Sequence, residues 1–177
     1  MTAQGEAIAR QGSVTLGVAD YMLNGVGSDV FARQPADGRG GRIDCNHPAF
    51  VLGHLSLYPP KILSALECEL GPAAAPETYA ELFAPGVSCR DDPDGRIYPP
   101  MDSILAQFRA AHQTLLEILP ALGDAQLEAV NPNETMRDRL GLKTVGDACA
   151  FVLTGHAQFH LGQLSTWRRA MGLGSAM

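Results

Sequence analysis

The sequence is poor in charge, in aromatic residues and in long apolar runs. Only 18% of its 177 residues are charged and only 6% are aromatic. No apolar stretch approaches the roughly 18 residues that a membrane-spanning helix needs, so we expect no membrane partner. The 13 Lys and Arg are outnumbered by 19 Asp and Glu, giving a net charge of −6. Because the basic residues do not cluster, we also expect no nucleic-acid partner.

Signals for export and for disulfide bonds are missing as well. The first 23 residues contain no basic region, continuous apolar core or cleavage site of a secretory signal, which predicts a cytoplasmic location. The four cysteines show no C-x-x-C pairing, and a chain of this length needs no disulfide support. We therefore expect them all to be reduced, as small core residues.

Four segments carry the apolar spacing of helices, and no segment carries that of a strand. They cover residues 5–32, 46–70, 103–122 and 144–171, with a kink predicted in the second at Pro59-Pro60. The connections at 71–100 and 123–143 are long and irregular, apart from a short helix at 77–83. The hydrophobic content of 46% is sufficient for one core. The pattern predicts a single all-α domain over residues 1–177, a four-helix bundle.

Several residues are typical of helix ends. Asn46 precedes Pro48 as an N-cap would, and Thr144 with Asp147 fits a capping box. Gly172 or Gly174 is expected to stop the last helix. Arg168-Arg169, the only basic pair near that end, is expected to cap it against its dipole.

His156 and His160 lie four residues apart in the last helical segment. That spacing places both imidazoles on one face, within reach of a single ion. Leu153 and Leu164 belong to the same stripe, so both rings point into the core. Buried imidazoles need a partner, and a metal ion is one.

His54 occupies an apolar stripe of the second segment, between Val51 and Tyr58. Facing helices of a bundle commonly supply the ligands of a metal, so His54, His156 and His160 are the predicted metal ligands. The alternative for His54 is a core histidine bonded to a carbonyl that Pro59-Pro60 leaves free. His47 is interpreted as a helix-start residue, and His112 either packs in the core or supports a ligand.

Two segments carry a family resemblance. NHPAFVLGHL (46–55) resembles the "GHL" segment of the DinB-like superfamily of metalloproteins, and HAQFHLGQL (156–164) resembles its "H-x-x-x-H-R-G-Q" signature. Thr144-Val145-Gly146 is similar to the usual start of that helix. The resemblance implies an up-down-down-up four-helix bundle with a three-histidine site for nickel, zinc or iron. It also implies a homodimer.

The sequence departs from the family pattern at two positions. Leu161 stands where an Arg is frequent, which puts in doubt any contact with an anionic substrate, and Phe159 stands where a second His is common. Gln163 keeps its place in the pattern. It either orients a bound water or a ligand imidazole, or faces solvent.

Three neutral imidazoles leave a coordination position open, as catalytic metal sites do. The resemblance favours a transferase that uses a low-molecular-weight thiol and a small-molecule acceptor. The alternatives are a metal-dependent hydrolase and a non-catalytic metal-binding stress-response protein. We expect the site near one end of the bundle. Tyr79, Phe83 and Tyr98 of the 71–100 connection either form an apolar wall for the acceptor or anchor the loop.

Overall fold

The computed structural model describes residues 2–176, and its regular structure is helical. The α-helices are α1 (Ala3–Leu23), α2 (Pro48–Leu55), α3 (Pro59–Ala65), α4 (Thr78–Phe83), α5 (Met101–Ile118), α6 (Asp124–Glu128), α7 (Val145–Ala150) and α8 (Ala157–Ala170). Short 3₁₀ turns lie at Gly71–Ala73 and Leu119–Ala121, and π-helical turns at Thr135–Arg139 and Phe151–His156. Between residues 2 and 176, β pairing is limited to two isolated bridges. The all-α prediction is confirmed.

Helix α1 ends at Leu23, so its predicted extension to residue 32 is wrong. Gly25 has a φ of +74°, a left-handed conformation that an α-helix cannot contain and that glycine adopts readily. The guanidinium of Arg168 donates to the carbonyls of Met22 (2.9 Å) and Asn24 (2.6 Å). Arg168 therefore caps the end of α1, and not only the end of its own helix as predicted.

The N-cap of α2 is His47, not Asn46 as predicted. The Nδ1 atom of His47 accepts a hydrogen bond from the Phe50 amide at 3.2 Å, the role that an oxygen plays at most caps. The predicted interruption at Pro59-Pro60 is confirmed, because the chain leaves the helix at Ser56 and α3 begins at Pro59. Helix α3 ends at Ala65 rather than 70, since Glu67 has a φ of +55° and cannot continue a right-handed helix.

Helix α7, the π turn and α8 form one continuous C-terminal helix. Its predicted capping box is confirmed: the Asp147 amide donates to Thr144 Oγ1 (3.1 Å) and the Thr144 amide to Asp147 Oδ2 (2.9 Å). It ends at Ala170, before Gly172 (φ +78°). The π turn inside it, Phe151–His156, was not predicted.

Contacts fix the relative directions of the long helices. Gly5 near the start of α1 lies against the Leu119 carbonyl beyond the end of α5, and Asp20 near the end of α1 pairs with Arg109 at 2.9 Å. These helices are therefore antiparallel. By contrast, α1 is parallel to the C-terminal helix, since Gly12 lies against Leu153 and the end of α1 meets Arg168.

Helix α2 is antiparallel to α8. Asn46 before α2 bonds Gln163, while Tyr58 after α2 contacts His156 at a ring separation of 4.2 Å. All these directions favour the up-down-down-up order, which stays a prediction.

The buried apolar residues form two clusters. The first contains Phe31, Phe83 and Trp167, and the second contains Leu115 and Leu153. No helix among the described residues is both long and apolar enough to cross a membrane.

Candidate metal centre

Three histidines from two helices meet in the structure. His54 lies in the last turn of α2, His156 ends the π turn, and His160 lies in the first turns of α8. One ring nitrogen of each lies within 4.8 Å of the other two, and the ring centroids are 4.7 to 5.3 Å apart. The structure thus brings together all three predicted ligands.

The orientation of His54 is set from α4. Its Nδ1 lies 2.8 Å from the Phe83 carbonyl oxygen. Since a carbonyl can only accept, Nδ1 carries the proton and Nε2 keeps its lone pair. The carbonyl belongs to the end of α4, so the alternative bond to a carbonyl freed by Pro59-Pro60 is wrong.

Gly53 makes that bond possible. A Cβ atom at this position would lie 2.5 Å from the Phe83 ring, closer than packed carbon atoms approach. Only glycine lets the Phe83 ring lie on α2, and this places its carbonyl over His54. The glycine of the "GHL" segment therefore has a structural reason that the sequence alone did not reveal.

The orientation of His160 is set by Gln163. His160 Nδ1 lies 3.1 Å from Gln163 Oε1, which also accepts a hydrogen bond from Asn46 Nδ2 at 3.0 Å. With the oxygen as acceptor of both bonds, His160 also has its proton on Nδ1 and its lone pair on Nε2. Gln163 is half-buried and contacts a predicted ligand instead of facing solvent alone.

His156 has no such support. Its Nδ1 is buried and has no hydrogen-bond partner among residues 2–176. Burial, and then the neighbouring His160, His54 and His112, lower the pKa of His156 to about 3. Burial is also the largest cause that lowers the pKa of His54 and of His160. All three imidazoles are therefore neutral at pH 7, the state in which a histidine binds a metal.

Aromatic rings surround the cluster. The Tyr58 ring lies 4.2 Å from that of His156, and Phe151 lies 5.6 Å from it. Phe50 stacks on His54 at 6.4 Å. Phe159, 66% exposed, lies 5.2 Å from His160. This wall lowers the local polarity, which disfavours charged imidazolium and strengthens any electrostatic contact within the cluster.

Two of the three histidines open onto a cavity of about 330 Å³. His54 and His160 lie in its wall, opposite Asn46, Phe50 and the segment 84–89. Within the described part of the chain, Asp44 is the one charged residue of its lining, and it is exposed. A larger groove of about 510 Å³ between α1 and α5 is lined by neither histidine nor cysteine. Of these two spaces, only the smaller one is lined by predicted metal ligands.

The segment 84–89, which forms one wall of the cavity, is fixed by hydrogen bonds at Arg90, the residue that follows it. His47 Nε2 donates to the Arg90 carbonyl at 2.9 Å, and the Arg90 amide donates to the Tyr98 hydroxyl, also at 2.9 Å. Tyr79, Phe83 and Tyr98 are buried in the first cluster and do not line the cavity. Of the two roles weighed for these aromatics, anchoring the loop is the one that their burial supports.

The expected location near one end of the bundle is wrong. Leu153 belongs to the second cluster and Ala157 to the first, so His156 lies where the two meet. Helix α2 ends earlier than its apolar stripe suggested, so His54 lies in its last turn. There it faces the middle of the C-terminal helix.

The residues fit a metal ion. Zinc holds imidazole nitrogens at 2.0–2.1 Å, which puts tetrahedral ligands about 3.4 Å from one another. The nitrogens lie within 4.8 Å, so side-chain shifts of about 1 Å bring them into range. Two of the three rings have the proton on the outer nitrogen, fixed by an acceptor, as is usual for metal-binding histidines.

Fold and site together define a class: an all-α protein with a three-histidine cluster, suited to a divalent ion, between its helices. The sequence matches the model of the DinB superfamily over residues 15–164. The chain belongs to the DinB superfamily, as its "GHL" and "H-x-x-x-H" segments predicted. No curated protein and no solved structure gives a significant match to it.

Proposed function

We propose that the protein binds one divalent metal ion through His54, His156 and His160, with nickel or zinc favoured and iron third. The observation that carries this proposal is the meeting of three neutral imidazoles from two helices, with the outer nitrogens of His54 and His160 bonded to acceptors. When bound, an ion with three such ligands keeps a position open, at which it lowers the pKa of a water or a thiol.

We further infer a transferase that uses a low-molecular-weight thiol. The thiol sulfur forms a bond to an electrophilic atom of the acceptor, the leaving group departs with its bonding electrons, and the thiol proton passes to solvent. The 330 Å³ cavity beside His54 and His160 supports this role, because it is large enough for a small acceptor and is lined largely by uncharged residues.

Two of the protein's own cysteines, Cys89 and Cys149, are poor nucleophiles. Burial raises the pKa of both Cys89 and Cys149 to about 12, so these thiols stay protonated near neutral pH, and only a thiolate attacks. All four cysteines are free. A small thiol from outside is thus the nucleophile that the site lacks. Such thiols are abundant in the cytoplasm, the location that we propose.

The family resemblance leads us to propose a homodimer. Val14 and Tyr21 of α1 are large and exposed, and they leave apolar surface for a second copy to cover. Light scattering tests the idea: a mass near twice 18.8 kDa supports a dimer, and 18.8 kDa over a wide concentration range contradicts it.

Metal analysis tests the ligand set. The purified protein should hold close to one divalent ion per chain, and His54→Ala, His156→Ala and His160→Ala should each lose most of it. Phe159→Ala is the matched control, because Phe159 is exposed beside His160 but offers no ligand atom. Full occupancy in His54→Ala would contradict the three-histidine site.

Conjugation assays test the chemistry. The metal-loaded protein should accelerate attack of glutathione, mycothiol or bacillithiol on a generic electrophile, and His160→Ala should abolish this while helical content survives. No acceleration with any thiol on a fully loaded sample would contradict the transferase. Ester or amide cleavage would then indicate a hydrolase, and inactivity in both assays a metal-binding protein without catalysis.

A further inference from the structure

Two buried histidine nitrogens lack a hydrogen-bond partner. Among the described residues, the buried side-chain nitrogens without a partner are His112 Nε2, His156 Nδ1 and the Nε of Arg168. Arg168 still uses its other nitrogens, whereas the two histidine atoms are unexplained. Leaving a buried polar atom without a hydrogen bond destabilises the fold, so each of the two calls for a partner.

His112 is a hydrogen-bond acceptor at its free nitrogen. It is 1% exposed, and its Nδ1 lies 2.8 Å from the Phe108 carbonyl, which can only accept. Nδ1 therefore carries a proton. Burial lowers the pKa of His112 to about 4, so the ring is neutral at pH 7 and Nε2 holds a lone pair.

If His156 binds the ion through Nε2, as His54 and His160 are arranged to do, its free nitrogen Nδ1 carries a proton and is a hydrogen-bond donor. His54 and His160 both have Nδ1 outward, on Phe83 and Gln163, and Nε2 available. In the same arrangement His156 has Nδ1–H outward, with no acceptor in the described chain. The lone pair of His112 and the N–H of His156 are complementary.

The two rings lie at the same level of the bundle. On α5 the two clusters meet between Phe108 of the first and Ala111 of the second, directly before His112. On the C-terminal helix they meet between Leu153 of the second and Ala157 of the first, on either side of His156. In agreement with this placement, His112 is among the neighbouring groups that lower the pKa of His156. Their free nitrogens are not within direct hydrogen-bonding distance.

We propose that His112 is a positioning residue for His156: its Nε2 accepts, through one buried water molecule, the hydrogen bond that His156 Nδ1–H donates. A water that accepts from one nitrogen and donates to the other satisfies both atoms, as buried waters usually do. The link fixes the ring of the third ligand from α5, a helix that supplies no ligand itself. The inference rests on the proposed metal-binding function.

Two substitutions of His112 separate this role from plain packing. His112→Gln keeps an acceptor oxygen, and His112→Leu removes it. We expect His112→Leu to bind zinc about tenfold more weakly in a chelator competition, and His112→Gln to recover most of that loss. Ser56→Ala is the control, because it removes another buried polar group, the hydroxyl bonded to Leu52, without touching either histidine. Equal zinc affinity in His112→Leu and wild type, or a tenfold loss in Ser56→Ala as well, would overturn the proposal.

Ring NMR of ¹⁵N-labelled wild-type protein gives a second readout that needs no substitution. In the zinc-loaded protein His156 should appear with its proton on Nδ1 and zinc on Nε2, and with slow proton exchange. Zinc on Nδ1 would overturn the proposal, even if every variant failed to fold. If the wild type binds no metal, the proposed function fails on its own. The metal-free spectrum then still decides the link: the Nδ1–H form of His156 supports it and the Nε2–H form rejects it.

Discussion

His54 Nδ1–H donates to the Phe83 carbonyl at 2.8 Å, and the ring of the same Phe83 fills the space beside Gly53, the residue before His54. The pocket of Gly53 thus controls the orientation of a predicted metal ligand.

Gly53→Ala should weaken metal binding without removing a ligand. The new methyl displaces Phe83, so the carbonyl leaves His54, and we expect the zinc affinity to fall about tenfold in a chelator competition. Gly17→Ala is the matched control, because no atom of residues 2–176 lies within 4 Å of a Cβ there. Zinc affinity in Gly53→Ala equal to that of Gly17→Ala would show that Phe83 does not support His54.

Gln163 should act through its acceptor oxygen. Gln163→Ala removes the partner of His160 and Asn46, and we expect zinc affinity to fall about tenfold. Gln163→Glu keeps an acceptor and makes it negative, which increases the basicity of the imidazole, so its affinity should equal or exceed that of wild type. Isothermal titration with zinc compares the three proteins. Equal losses in both variants would mean that Gln163 only fills space.

Asp44 should select against anionic thiols. Among the described residues it is the one charged residue that lines the cavity, so no positive charge in the lining offsets it. We expect Asp44→Asn to bind 3-mercaptopropionate roughly threefold more tightly, a modest effect because the carboxylate is exposed, and cysteamine no more tightly. The thiolate absorption band of the cobalt-loaded protein measures both. The gain should shrink in high salt; a gain for both thiols alike would exclude charge as the cause.

Metal-free protein should lose stability in acid through His112. The folded pKa is about 4 against an ordinary 6.5, so the unfolded chain binds more protons between these values. The stabilisation is complete above pH 6.5 and is lost as the pH falls towards 4, by roughly 3 kcal/mol. Urea unfolding of wild type and His112→Gln at several pH values measures it. The variant should lose less stability in acid, and parallel curves for the two proteins would be the contrary result.

The meeting of the three candidate ligands was predictable because they lie on helices with clear apolar stripes. His156 and His160 needed only helical spacing, and His54 needed a polar residue in an apolar stripe. Their supports were not predictable. The Phe83 carbonyl reaches His54 across 29 positions of chain, and a backbone oxygen leaves no mark in the sequence. The pairing of Asn46 with Gln163 spans 117 positions and depends on the packing of two helices.

The helix boundaries show a similar division. Val26 is buried although α1 has already ended, so the apolar spacing continued past Gly25 and hid the turn. Thr144 and Asp147 marked their helix start correctly because a capping box is local. The up-down-down-up order, the single domain and the homodimer depend on contacts between distant segments or between copies, and they stay predictions.

The π turn at Phe151–His156 changes the rotation of α8 about the helix axis relative to α7, so the side chains of the two parts are oriented separately. Successive residues of an α-helix are about 100° apart around its axis. In a uniform helix, the packing of Val145 and Cys149 in the second cluster would therefore determine the direction in which His160 points. The wider turn separates these requirements. Removing one residue from it would leave both apolar faces locally intact while rotating His160 away from His54, so the length of this turn, as much as the histidines themselves, sets whether a metal site exists.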